Sequence, residues 1–226
     1  MSVKYVFIIL WLLSCFGSNR DLWASSPLQK IKKNCGCETD TLMDQFTTTC
    51  DTIFLMDQSK LYYQFNCDSI WLTLERFEGQ KIIIDSWNDD FKELYGYHYR
   101  LGYHLSKEYD RYLLFRRGCP ANGPCNFVLI DKITGQQVRE LGELIYDHEH
   151  ETFYDFVIYF KERNVVVVDF IDHPKIIEVP VNEKHFNSMV PEYQFDKIHY
   201  DGKILQLTYE YGKGRTSTIS INTSIR

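Results

Sequence analysis

The chain reads as an all-β protein built as an antiparallel meander, and three observations carry that reading. Short runs rich in Val, Ile, Tyr and Phe recur between Gly, Asn and Asp turn signals. Long helical periodicity is missing from the pattern of apolar residues. Aromatic residues make up 15% of the chain, with 16 Tyr and 15 Phe, which suits half-buried strands whose hydroxyls reach water.

Taken in order, Thr52 to Met56 and Leu61 to Phe65 form the first expected hairpin, closed by a tight turn at Gln58-Ser59. Ser69 to Arg76 and Lys81 to Ser86 flank Glu78-Gly79, and Asn126 to Asp131 and Gln136 to Leu141 flank Lys132 to Gly135. Phe153 to Lys161 and Val165 to Ile171 flank Arg163-Asn164; Lys197 to Tyr200 and Lys203 to Tyr211 flank Asp201-Gly202; Thr216 to Ile221 ends the sheet. Val165 to Val168 is a continuous β-branched run, the composition of a central buried strand. Short helices are expected only at Asp90 to Tyr95 and Val181 to Met189.

The hairpins carry an internal echo. Tyr62-Tyr63-Gln64-Phe65 compares with Tyr193-Gln194-Phe195-Asp196, and aromatic-rich strand starts near Leu61, Leu105, Phe156 and Tyr193 are spaced by roughly the 40–50 residues of a four-stranded blade. The stretch from Phe127 through Asp131, Thr134 and Gly135 to Val138 resembles the strand, D-x-x-T-G turn and strand of β-propeller blades, where Asp caps the turn and Gly takes a positive φ. That resemblance implies a small or incomplete propeller-like antiparallel meander. The alternative is a β-sandwich or barrel.

The first fifteen residues are an export signal, with one lysine, Lys4, before the apolar run Tyr5 to Leu13. That run is about half of the roughly 20 residues a spanning helix needs. Leu12-Leu13-Ser14-Cys15 resembles the lipobox of bacterial lipoproteins, with Leu at minus three and Ser at minus one. The resemblance implies cleavage before Cys15, lipidation of its thiol and an anchor in a bacterial envelope. Phe16 after the cysteine then implies delivery to the outer membrane, and each buried acyl methylene would contribute about 0.8 kcal/mol of attachment. The expected division is a signal peptide at 1–14, a lipidated Cys15 with a flexible tether at 15–34, and a single disulfide-stapled β domain at 35–226. Polar Gly17 to Asn34, with Ser25-Ser26-Pro27 and Lys30, Lys32 and Lys33, has the composition of a spacer. A soluble secreted or periplasmic protein is the alternative; cleavage before Ser18 would produce it, and Asn222-Thr223-Ser224 would be a glycosylation sequon in a eukaryote.

Seven cysteines are an odd number for an oxidising compartment, and lipidation of Cys15 leaves six: Cys35, Cys37, Cys50, Cys67, Cys119 and Cys125. With Asp57 and Lys60 as the closing pair of the first hairpin, Cys50 falls opposite Cys67 at a non-hydrogen-bonded position about 4.5 Å wide, near the short end of disulfide geometry. Cys119-Pro-Ala-Asn-Gly-Pro-Cys125 closes a short turn-rich loop that brings its ends together. Cys35 and Cys37 reach other segments, or one stays free, or both staple Cys50 and Cys67. The spacings C-x-C and C-x5-C miss the C-x2-C pattern of common structural zinc sites.

With a net charge of −6 and no basic stretch beyond the tether, a nucleic-acid partner is disfavoured. Candidate chemistry is sparse. His148 and His150 within Asp147 to Glu151 would share one face of an extended segment, as a divalent metal site could use, although a solvated loop is the favoured explanation. Asp169 with Asp172-His173 could bring an acid to an imidazole, but beside Pro174 the latter two read as turn caps. Asp89-Asp90 after Trp87 could flank a sugar platform, yet adjacent acids here read as N-caps. No G-x-S-x-G, H-E-x-x-H or phosphate-binding glycine loop occurs. Tyr97, Tyr99 and Tyr103, in an aromatic belt with Tyr95, His98 and His104, offer flat contact area to a protein or glycan ligand. The expected function is therefore that of an envelope-anchored lipoprotein serving as a binding or interaction module, held to the membrane by its lipid and needing no cofactor. A periplasmic or surface hydrolase or metal-dependent enzyme is the alternative.

Overall fold

The computed structural model describes residues 50–65, 69–88, 102–118, 124–147, 149–162, 164–182, 188, 190, 193–212 and 214–224, all within one compact unit. They form four antiparallel meander sheets, with no α-helix among the described residues. The first sheet holds β1 (Ile53–Phe54), β2 (Lys60–Phe65), β3 (Ser69–Glu75) and β4 (Lys81–Asn88). The second holds β5 (Tyr103–Glu108), β6 (Tyr112–Arg117), β7 (Asn126–Asp131) and β8 (Gln137–Gly142). The third holds β9 (Phe156–Glu162), β10 (Val165–Phe170) and β11 (Ile176–Pro180), with β10 central. The fourth holds β12 (Lys197–Tyr200), β13 (Ile204–Glu210) and β14 (Thr216–Asn222).

Each sheet is contiguous in sequence and packs face to face on the next. Adjacent residues of one strand divide between two cores, because their side chains point to opposite faces. On β6, Leu113 and Phe115 join Leu61, Leu72 and Leu74 of the first sheet, while Leu114 joins Val157 of the third. On β7, Val128 and Ile130 face the first sheet, and Phe127 and Leu129 the third. The third sheet repeats the device: Val157 faces back, and Phe156, Ile158, Val166, Val168 and Phe170 face forward onto Ile198, Leu205, Leu207 and Ile221 of the fourth. Strands buried on both faces need unbroken apolar runs, which explains Phe127-Val128-Leu129-Ile130 and Val165 to Val168. The fourth sheet alternates instead: Leu205, Leu207 and Tyr209 are buried, whereas Gln206 and Glu210 are exposed.

The turns hold the stack at one end. Asp131 Oδ1 accepts from the backbone of Ile133 and Thr134, both at 2.9 Å, and Gly135 takes φ +67°, as the D-x-x-T-G pattern demands. A Cβ on Gly135 would lie 2.3 Å from Ile82 Cγ2, so this turn also packs against β4. Lys132, 6% exposed, places Nζ 2.6 Å from Glu108 Oε1, and both Glu108 oxygens accept from Met56 N–H at 2.9 Å. Asp172 caps the β5–β6 turn rather than its own, accepting from Asp110 and Arg111 N–H at 3.1 and 3.4 Å.

The first hairpin departs from its expected register. Ile53 pairs with Leu61 and Phe54 with Lys60 across a longer turn, in which Gln58 N–H donates to Leu55 O and Asp57 caps Ser59. Gln58 takes φ +66° with no glycine to announce it. A turn at Gln58-Ser59 closed by Asp57 and Lys60 is therefore incorrect, and the placing of Cys50 opposite Cys67 on that register falls with it. The strand at Thr52 to Met56 is likewise shorter, reduced to β1. Of the expected helix at Val181 to Met189, the described residues 181, 182 and 188 are not helical; Asp90 to Tyr95 lies outside the described residues.

Candidate functional site

A cavity of about 210 Å³ opens between the first two sheets. Its apolar walls are Ile53, Leu61, Leu72 and Leu105, its rings are Tyr63, Tyr103 and Phe115, and Asp51 adds a carboxylate; Tyr62 and His104 border it from strand positions whose side chains turn to the opposite sheet faces. The fold assembles it from β2 and β3 on one side and β5 and β6 on the other. Tyr63 stands on the face of β2 that carries Leu61, paired with Leu72 of β3, and its hydroxyl donates to Tyr103 O at 2.5 Å. That bond, between residues forty positions apart, ties the two sheets beside the cavity. Tyr103 is only 6% exposed and meets Phe115 edge to face, with centroids 5.3 Å apart.

The Tyr62 and Tyr63 hydroxyls are committed donors. Burial, reinforced by the negative charge of Asp85, pushes the Tyr63 phenol well above its ordinary range; burial likewise raises Tyr103, partly offset by Arg117. Tyr62 donates to Glu75 Oε2 at 2.7 Å, and burial followed by that bond raises its pKa. Glu75, drawn down first by the Tyr62 bond and then by Lys81 and Lys60, stays ionised. Two rings also carry cations: Lys81 Nζ lies 5.9 Å from the Tyr62 centroid and the Arg117 guanidinium 5.4 Å from that of Tyr103. The site can thus offer π-faces, phenolic oxygens as acceptors, and the carboxylate of Asp51.

Of the sequence-derived candidates, Tyr103 enters this cavity wall, while Tyr97 and Tyr99 lie outside the described residues. His150 is exposed, with Nδ1 2.9 Å from Asp147 Oδ2; His148 is outside the described residues. The bond to Asp147 raises the His150 pKa, while Asp147, despite its partial burial, is lowered chiefly by His150. No group of three or more His, Cys, Asp or Glu converges among the described residues. Asp169 is buried and bound by Arg139 and by the Tyr159 hydroxyl at 3.3 Å, so it links the second and third sheets, while half-buried Asp172 caps a turn. Cys50 and Cys125 are each disulfide-bonded, but no bridge has both ends among the described residues. Cys15, Cys35, Cys37, Cys67 and Cys119 lie outside them.

Sequence reasoning missed Asp51 and Tyr63 as cavity residues. The signal was the echo at Tyr62-Tyr63-Gln64-Phe65, which marked a strand without its partner.

The fold and cavity define an all-β protein of four small meander sheets. No family model, no curated protein and no solved structure matches the chain.

Proposed function

We propose that this chain is an exported lipoprotein of the cell envelope, anchored through Cys15, whose β domain works as a binding module and takes its ligand in the cavity between the first two sheets. The observation that carries the binding role is the cavity itself, in which the rings of Tyr63, Tyr103 and Phe115 border a space of about 210 Å³. That volume is below the roughly 300–1,000 Å³ of pockets for drug-sized ligands, so a single small group fits. The lipobox-like Leu12-Leu13-Ser14-Cys15 supports the anchor, and the tether 15–34 would give the domain reach from the membrane. Four consecutive meanders stacked face to face support a propeller-like arrangement. Cys119 to Cys125 is the proposed local bridge.

Two measurements test this reading. Intact-mass analysis of the mature chain from its host is expected to give acyl mass on Cys15; an unmodified chain beginning at Ser18 would contradict the anchor. Amide-shift mapping of the full oxidised chain against a panel of small fragments is expected to cluster on Ile53, Tyr63, Leu72 and Leu105. Shifts confined to other regions would refute the cavity as the ligand site.

A further inference from the structure

We propose that the cavity between the first two sheets selects a small organic cation of the alkylammonium class, with the tyrosine faces receiving its charge and Asp51 acting as counter-ion. This rests on the reading of that cavity as the ligand site and adds its ligand chemistry.

Three features of the lining point the same way. First, the wall combines the rings of Tyr63, Tyr103 and Phe115 with one carboxylate and contains no Lys or Arg. A cation over such faces meets the negative side of the ring quadrupole, and desolvation in a cavity strengthens the attraction. An anion would meet no positive lining residue. Second, the Tyr63 phenolic proton is already spent within the protein, on Tyr103 O. What that hydroxyl presents to a ligand is acceptor oxygen. A neutral sugar ring needs several directional donors and acceptors together, and the wall holds no Asn, Gln, Arg or Trp to supply the donors. Third, the Tyr103 ring already attracts a side-chain cation, the Arg117 guanidinium 5.4 Å from its centroid.

The proposal is tested on the full mature chain, oxidised, by titrating choline, its neutral isostere 3,3-dimethylbutan-1-ol and methyl glucoside, followed by amide shifts. Choline is expected to saturate with shifts at Tyr63, Leu72 and Leu105, and the isostere to bind at least about tenfold more weakly. Asp51→Asn, an exposed substitution, is expected to weaken choline about tenfold with an unchanged melting temperature. Equal binding of choline and the isostere, or an unchanged affinity in Asp51→Asn, would overturn the cation assignment. Shifts at the same residues from methyl glucoside alone would overturn the assignment and leave the cavity as the ligand site. No shift at any wall residue from any of the three would overturn the cation assignment, and the fragment panel then decides the fate of the cavity.

Discussion

The first and last sheet interfaces of this chain use the same stacking but fill it differently. Between the third and fourth sheets, Phe156 packs on Phe170 and Tyr200 with centroids 5.2 and 5.0 Å apart, and Leu205 and Leu207 are fully buried. Between the first and second, Leu61, Leu72 and Phe115 are equally inaccessible to water, yet they border a cavity and share it with Tyr63, Tyr103 and Asp51. The comparison teaches that the cavity is not a by-product of stacking sheets. Where the interface only has to hold, aliphatic and aromatic side chains interdigitate; where it holds open space, the Tyr63 hydroxyl is tied off in an internal bond.

Truncation should separate the two interfaces most clearly. Leu207→Ala in the closed interface is expected to cost about 4 kcal/mol, and Leu72→Ala beside the cavity about 2–3 kcal/mol, because Leu72 has fewer packed atoms to lose. Urea unfolding measures both, and a larger loss at Leu72 would erase the distinction. Next in size, Lys132→Met leaves the Glu108 carboxylate without its buried partner and is expected to cost about 3 kcal/mol, read in the same way. A neutral outcome would mean that the bonds from Met56 N–H suffice for Glu108.

A glycine pair sharpens the role of the turns. Gly79→Ala meets nothing within 4 Å and should cost only the roughly 1–2 kcal/mol of a left-handed backbone. Gly135→Ala carries that penalty and also drives a methyl into Ile82, so its melting temperature should fall further. Equal losses would show that the turn at 132–135 is free to move off β4.

The smallest effects are pH-dependent. Asp131 is depressed: burial opposes its charge, but bonds from Thr134 N–H, Arg111 and Ile133 N–H outweigh it. Its contribution is therefore present above its unfolded pKa of about 3.9 and is lost as pH falls through the lower folded value. Acid unfolding of Asp131→Asn should show a shallower loss in that window; an unchanged profile would remove Asp131 from the account. His150 runs the other way, since its raised pKa gives a contribution complete below about pH 6.5 and lost as pH rises through the folded value. Its imidazole NMR titration should drop toward the ordinary range in Asp147→Asn.

How much of this was legible depended on turn chemistry. Glu78-Gly79, Lys132 to Gly135 and Asp201-Gly202 announce their hairpins because glycine takes a positive φ at each turn, and the structure places strands on either side. The first hairpin was misread because Gln58 takes that conformation without a glycine. The edge strand β11 went unread: Ile176 to Pro180 alternates weakly and ends in proline, so nothing in it competes with a loop. Val165 to Val168 was readable as central because two buried faces need an unbroken apolar run. The cavity was not, since it depends on Tyr63 meeting Tyr103 across two sheets. A strand's own sequence gives its periodicity and leaves its facing partner undetermined. Tyr103 stood out in the aromatic belt, but as a surface ring and not as a wall between sheets.

The central claim is that the open space between the first two sheets is where this chain binds. Leu105 is half-buried on its wall, so Leu105→Phe fills the space from inside without disturbing the closed interface. The direct measurement is choline affinity of the full chain before and after that substitution, alongside its melting temperature. The account predicts affinity reduced at least about tenfold with the melting temperature held or raised. Undiminished affinity in a folded Leu105→Phe protein would contradict it.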